Sequence, residues 1–389
     1  MIKKLFSLLF VALILVSCTG TKEQGTSTLL FVAYKDGANN KLALIEDLFF
    51  KDGASNQRLR FLKDLSLPAK AIDYDIKDRF GERSEMIVLS GESGKYYLSF
   101  FNLKINPDKL SDFHKTNADI EISKFADNLP LNASKIQISK NAKYVSIMNN
   151  FDLESADDAI DIFDITDRAA PKHLKRLSSS IIAEALFMPQ SNRARLYYLT
   201  ETVSAVLNYI DIPGLENTKT KIKIPNSQSI EREVKDMGQV EKQLVVLQNK
   251  QITPIKNFLS TPELGDKITT GSSPIKLIPN NSPNLANLVV ISNNKLIVHQ
   301  DLQDNVPNDM SVSLSNGSVE PFGGFVYFVN QNKNRAINIF DLQSYNGNPD
   351  ARVSSNFEGF SVFDGDKRKE LPETGFITWS KAFVPLETK

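Results

Sequence analysis

The sequence predicts an all-β fold: a seven-bladed β-propeller closed by a C-terminal strand that pairs with the first blade. Three observations carry that prediction. No long segment after residue 28 has helical periodicity. Short β-branched and aromatic runs recur instead, each followed by a polar turn and a second such run. The unit returns seven times, at steps of about 57 residues early in the chain shortening to about 38 late in it, near the period of radial propeller repeats. Seven hairpins in a sandwich, or split between two domains, are the competing arrangement.

Composition sets outer bounds. The chain has 389 residues, 41% of them hydrophobic, which is ample for a large buried core and argues against disorder. Lys and Arg number 46 against 46 Asp and Glu, so there is no cationic surplus of the kind that binds nucleic acid. One cysteine excludes an intrachain disulfide framework and a multi-cysteine zinc site.

The N-terminus comes first in the chain. Met1-Ile2-Lys3-Lys4 is a short cationic start, and Leu5 to Val16 is an almost unbroken apolar run. A spanning helix needs about 20 apolar residues, so this run is too short to hold the mature chain and has the make-up of a secretory signal peptide. It ends in Leu15-Val16-Ser17-Cys18, which contains the lone cysteine. These four residues resemble the lipobox of bacterial lipoproteins. The resemblance implies a diacylglycerol on the Cys18 thiol, cleavage of the peptide bond before it, and acylation of the new amino group. A plain signal peptide with an incidental cysteine, or an uncleaved anchor, is the alternative. The expected organisation is a signal peptide over 1–17, a polar flexible tether over 18–28 and the propeller domain over 29–389. The lipid bilayer is then the first partner. The implied location is the bacterial cell envelope, at the outer membrane if the cell is Gram-negative.

The repeats follow. The first runs begin at Leu29, Glu85, Lys143, Arg195, Gln243, Asn287 and Gly324, with partners beginning at Lys41, Tyr96, Ala159, Val206, Ile255, Lys295 and Ala336. Connectors such as Ser292-Asn293-Asn294 are built from turn residues. Apolar stretches at Ala71, Lys135, Ile182 and Pro274 supply an inner strand to most units, and weaker polar stretches supply an outer one. Four antiparallel strands make a blade, which hides its faces only against neighbouring blades. Only the polar tether precedes Leu29, so the first blade lacks an inner strand, while Gly359–Phe363 and Gly375–Pro385 are spare at the other end. One of these segments is expected to pair with the first blade.

Ala159-Ile160-Asp161-Ile162-Phe163-Asp164-Ile165-Thr166-Asp167, followed by Ala170-Pro171, resembles the strand-and-turn of bacterial YVTN-type and LVIVD-type propeller repeats, a WD40-like architecture. Asn208–Pro213 and Ile337–Leu342 are looser copies. The resemblance implies a propeller that serves as a binding platform, a surface-layer protein or, in some members, a lactonase; fold alone does not choose among them.

Chemistry-bearing patterns are sparse. His114, His173 and His299 each stand alone, without metal-ligand spacing. The densest acidic group is Asp152, Glu154, Asp157, Asp158, Asp161 and Asp164, and it reads first as a solvated acidic loop. Within it Asp157, Asp158 and Asp161 are the metal-ligand candidates, with structural calcium as the one cofactor that oxygen-rich loops suit. Asp364 and Asp366 read as a turn. Neither a nucleophile elbow nor a phosphate-cradling glycine loop occurs. Leu371-Pro372-Glu373-Thr374-Gly375 matches a sortase signal, but the tail after it is too short and polar to span a bilayer.

The sequence therefore points to an envelope lipoprotein with no catalytic residues assigned, acting as a non-catalytic binding platform for a protein or an envelope polymer. The rival is a lactonase-type hydrolase with a divalent cation in the central channel.

Overall fold

The computed structural model describes residues 28–48, 58–79, 83–104, 113–126, 128–151, 156–189, 194–201, 204–215, 217–218, 222–225, 233–240, 243–270, 274–282, 285–292, 295–299, 308–311, 319–322, 325–329, 336–341 and 357–380. Leu15, Val16, Ser17 and Cys18, with most of the tether, lie outside them.

Among the described residues there is no α-helix, and the strands form seven antiparallel-rich sheets, several of them four-stranded, an all-β architecture consistent with a β-propeller. The third sheet is typical. Ala133–Ile138, Tyr144–Asn149, Asp158–Asp164 and Lys172–Ser179 follow one another in chain order and in space. The second sheet begins Ala71–Arg79, Arg83–Glu92, Lys95–Lys104, the fourth Ile182–Pro189, Ala194–Glu201, Ser204–Ile212, and the fifth Val234–Val240, Gln243–Gln248, Gln251–Lys256. The sixth begins Pro274–Ser282, Leu285–Ser292, Lys295–His299, and the seventh Val319–Phe322, Phe325–Val329, Ile337–Asp341. Two of the first strands, Val234–Val240 and Val319–Phe322, were not among the apolar stretches legible in the sequence, because Lys235, Asp236 and Glu320 interrupt them.

The first sheet differs. Its order from the outside is Lys367–Lys369, Val362–Asp364, Leu59–Leu67, Asn39–Asp47, Thr28–Asp36 and Glu373–Ser380. Glu373–Ser380 pairs antiparallel with Thr28–Asp36, setting Ser380 opposite Leu29 and Ile377 opposite Val32. Both spare segments reach the first sheet: the later one pairs with Thr28–Asp36, while the earlier one splits, Gly359 and Phe360 lying in the outer strand of the seventh sheet and Val362 and Phe363 pairing with Leu59 and Arg60 of the first. Val362–Asp364 continues into a hairpin with Lys367–Lys369. Its turn contains Asp364 and Asp366, with Gly365 at φ +58°, and Val362 pairs parallel with Leu59.

Period-two alternation builds the core, and it runs in both directions from each sheet. Leu29, Phe31 and Leu42 pack against Met86, Val88 and Phe101 of the second sheet. The interleaved Leu30, Val32 and Ile45 pack against Tyr327, Ile337 and Ile339 of the seventh. Strands buried on both faces must be apolar at every position, which is why these runs show no polar alternation. Similar clusters join the second sheet to the third, the third to the fourth, the fourth to the fifth and the fifth to the sixth. Along their first strands the sheets touch in series: Ala71–Arg79 meets Ala133–Ile138, and so on to Val319–Phe322, with Glu373–Ser380 touching both Val319–Phe322 and Ala71–Arg79.

Neighbouring first strands run parallel, since Asp73 and Asp75 reach the backbone of Ile136 and Ile138 in order. The turns from second to third strands therefore gather at one end, the hairpin end. There Gly37 and the pair Ser93-Gly94 take positive φ, as tight two-residue hairpins require. The opposite, terminal end holds the joins from first to second strands together with Leu29 and Ser380.

Candidate functional site: an ion network on the first strands

The site begins with a backbone irregularity that five sheets share. Near the hairpin end each first strand skips one residue against its neighbour: Ala71 pairs with Ser90 but Asp73 with Leu89, and Ile182 with Thr200 but Glu184 with Leu199. The same shift passes over Ser134, Lys235 and Ile275. A bulge re-aims the side chain that follows it. Those side chains are Asp73, Lys135, Glu184, Asp236 and Lys276, all at one register position. Glu373–Ser380 has the same shift at Gly375, which brings Phe376 to this position in the first sheet.

Lys135 ties the group together. Its Nζ lies 2.8 Å from Glu184 Oε1 on the adjacent first strand and 3.5 Å from Asp236 Oδ1 on the strand beyond that. Each carboxylate also serves the backbone. Asp73 Oδ2 accepts from Ile136 N at 2.8 Å, Asp236 Oδ2 from Leu277 N at 2.9 Å, and Glu184 Oε1 from Ala185 N at 2.9 Å. A first strand has one edge without a strand partner, and its buried N–H groups need acceptors. Asp73 and Asp236 supply them to the next sheet, while Glu184 serves its own strand.

Burial shapes the titration of this network. It pushes the Glu184 carboxyl up to about 7; Lys135 pulls it back only in part, and the like charge of Asp236 adds to the rise. Burial likewise pushes Asp73 up to about 6 against the Ile136 N–H and the charges of Lys135 and Lys276. Lys135 is held above the usual lysine range, because Glu184 and Asp236 outweigh its own loss of solvation. Three acids against two bases at one level leave the network with one negative charge in excess when all five are ionised.

The residues singled out from sequence fall elsewhere. Asp157 is exposed, as a solvated loop residue should be, but Asp158 and Asp161 are fully buried in a strand. Asp158 accepts from Phe151 N at 2.9 Å and from Ile182 N at 3.1 Å, again serving the next first strand. Asp161 accepts from Asn149 Nδ2, His173 Nε2 and both Nε and a terminal nitrogen of Arg176. Burial alone would raise its pKa, but His173 and Arg176 overcome that and hold it below the usual carboxylate range. The acidic segment is therefore mostly structural, and a solvated loop describes only Asp157 of these three. Among the described residues no three His, Cys, Asp or Glu side chains gather as a metal-ligand set. His114 is exposed, and Asp152 and Glu154 lie outside the described residues.

Two further motifs find their place. In the repeat-like stretch, Asp164 Oδ1 accepts from Thr166 N and Asp167 Oδ1 from Ala169 N, so the aspartates fold the turn after the strand. The sortase-like motif is built into the sheet: Leu371 is buried, and Thr374 pairs with Tyr34 just before the Gly375 bulge. A bond held there is not presented to a protease.

Sequence reasoning missed the ion network, although a signal existed. Ala71-Ile72-Asp73, Ala133-Ser134-Lys135, Ile182-Ala183-Glu184, Val234-Lys235-Asp236 and Pro274-Ile275-Lys276 each place a charge two residues after a buried or partly buried small or apolar residue that opens a first strand.

No family model matches the chain, and no curated protein is similar to it. Among solved structures, a chain from a crystal structure of a nidogen/laminin complex matches over 92% of this chain and 99% of its own length, at 10% identity and a TM-score of 0.43.

Proposed function

We propose that this chain is a lipid-anchored protein of the bacterial cell envelope, acylated at Cys18, whose sheets form a closed seven-bladed propeller that acts as a non-catalytic binding platform for a protein or an envelope polymer. Support for the ring comes from the unbroken series of first-strand contacts and from the pairing of Glu373–Ser380 with Thr28–Asp36. Support for the anchor comes from the lipobox-like Leu15-Val16-Ser17-Cys18. A ring of sheets brings loops from many repeats to one rigid surface, which suits recognition.

The observation that favours a platform over a hydrolase is the seat of Lys135. A catalytic cation on the axis needs carboxylates that are free to turn toward it. Here an ammonium already stands 2.8 Å from Glu184 and 3.5 Å from Asp236, and Asp73 and Asp236 spend oxygens on backbone N–H groups. A cation seated there would have to displace Lys135 from its contacts with Glu184 and Asp236.

The test is to purify the protein from membranes, weigh its N-terminal peptide, and assay it by calcium calorimetry and against a panel of lactones. A diacylglycerol mass on Cys18 with no hydrolysis is expected. Cation-dependent lactone hydrolysis abolished by Glu184→Gln and Asp236→Asn would reverse the ranking. Calcium heat lost in Asp158→Asn instead would assign an ion to the Asp157, Asp158 and Asp161 segment.

A further inference from the structure

We infer that the terminal end of the molecule is a membrane-docking face: it lies against the bilayer that holds Cys18, sets Leu259 and Leu264 into the headgroup layer, and turns the hairpin end with its ion network away from lipid. This rests on the anchored reading above and adds an orientation to it.

Two independent observations point to that face. The first is where the chain leaves the fold. Thr28 begins its strand at the terminal end, opposite the C-terminal strand, and the ten residues from Cys18 reach at most about 35 Å when fully extended. Bringing the hairpin end to the same bilayer requires the tether to pass around the first sheet. The nine-residue strand Thr28–Asp36 is about 30 Å long, and the four strand spacings outward to Lys367–Lys369 add about 19 Å. That path exceeds the tether, so the anchor holds the molecule one way up.

The second is the distribution of exposed apolar side chains. Among the described residues three large ones are exposed: Leu259 at 51%, Leu264 at 39% and Ile275 at 53%. Leu259 follows the terminal end of Gln251–Lys256, and Leu264 pairs with Ile255 at that same end. The exposed Lys256 lies beside them, and Lys140, Lys143 and Lys172 are exposed on this end together with Asp167 and Glu263. Leucines flanked by lysines suit an interface where apolar tips enter the acyl boundary and ammonium groups meet phosphate. Ile275 sits at the opposite end, at a bulge, and serves as a control matched in chemistry.

The experiment uses the full acylated chain. Because the Cys18 thiol is blocked as a thioether, Leu259→Cys or Ile275→Cys supplies the one thiol for an environment-sensitive fluorophore. In vesicles of phosphatidylethanolamine and phosphatidylglycerol, the probe at 259 is expected to shift to the blue relative to detergent and to lose emission to spin-labelled lipid, while the probe at 275 does neither. Leu264→Cys repeats the measurement should Leu259→Cys fold poorly. Equal responses at the two ends, with lipid confirmed on Cys18, overturn the orientation and leave the anchor standing. A Cys18 without lipid overturns the anchored reading and this inference with it.

Discussion

The first sheet and the five that follow it solve the same packing problem with different means. In the second to sixth sheets every strand comes from one continuous stretch, and a charged residue follows the bulge of each first strand. There Lys135, Glu184 and Asp236 link three sheets through ion pairs, and carboxylates satisfy the N–H groups of the next first strand. The first sheet draws its strands from both ends of the chain and places Phe376 at the equivalent position. Its junction with the seventh sheet relies on apolar burial, with Leu30, Val32, Val362 and Leu371 buried among Tyr327, Ile337 and Ile339. One polar tie reinforces it: Asp47 accepts two bonds from Arg58 and one from the Tyr327 hydroxyl of the seventh sheet. The chain passes directly from Phe357–Phe360 of the seventh sheet into Val362–Asp364 of the first, and apolar area holds these two sheets together, whereas charged groups line the first strands of the second to sixth.

The largest expected effect breaks the junction outright. A chain ending after Phe360 lacks the outer hairpin and Glu373–Ser380, leaving one edge of Thr28–Asp36 and the outer edge of Leu59–Leu67 unpaired and removing Val362 and Leu371 from the core. Unpaired buried N–H groups and exposed Leu and Val side chains then oppose folding. Thermal melts followed by circular dichroism should show loss of the cooperative transition; an unchanged midpoint would mean that the pairing contributes nothing.

A graded version removes one buried side chain. Leu30 is fully buried against the seventh sheet, so Leu30→Ala should cost about 2–5 kcal/mol by urea denaturation. A loss well below that range would show that the junction relaxes around a cavity and is less tightly packed than its burial suggests.

The smallest effect concerns the ion network and its pH dependence. Glu184 is pushed up to about 7 in the folded protein, while an unfolded glutamate titrates near ~4.3. Between those values the folded chain binds the proton more strongly, so this group contributes stability at acid pH that is lost as pH rises through about 7. Asp73 acts in the same direction through about 6. Asp161 is the opposite case: its depressed value adds stability that is present at neutral pH and lost as pH falls through its folded value. Urea midpoints taken between about pH 5 and about pH 8 should fall with rising pH, and Glu184→Gln should flatten that slope by on the order of 1 kcal/mol. A slope identical in the variant would place the proton uptake elsewhere.

Much of the fold was legible because both faces of each sheet are buried. Runs such as Leu29–Tyr34 and Gln243–Gln248 are apolar at consecutive positions, and the turn residues between them are equally plain. That a late segment pairs with the strand from Leu29 was legible too, since Gly375–Pro385 has a strand's composition and no apolar run of strand type stands directly before Leu29. What escaped was less regular. Val234–Val240 hides behind Lys235 and Asp236, and Lys367–Lys369 is too short and charged to stand out from its turn. The acidic group read as a solvated loop although Asp161 already lay in the strand beginning at Ala159, and only Arg176, His173 and the N–H of Ile182 explain the burial of Asp158 and Asp161.

By itself the sequence determined the all-β class, the number of hairpin units and the position of the lone cysteine, because strand periodicity, turn chemistry and residue counts are local properties. The tertiary structure alone decided which charges meet. Asp73, Lys135, Glu184, Asp236 and Lys276 are some 50 residues apart in succession, and only the parallel packing of the first strands, each with its bulge at one register, brings them to a single level.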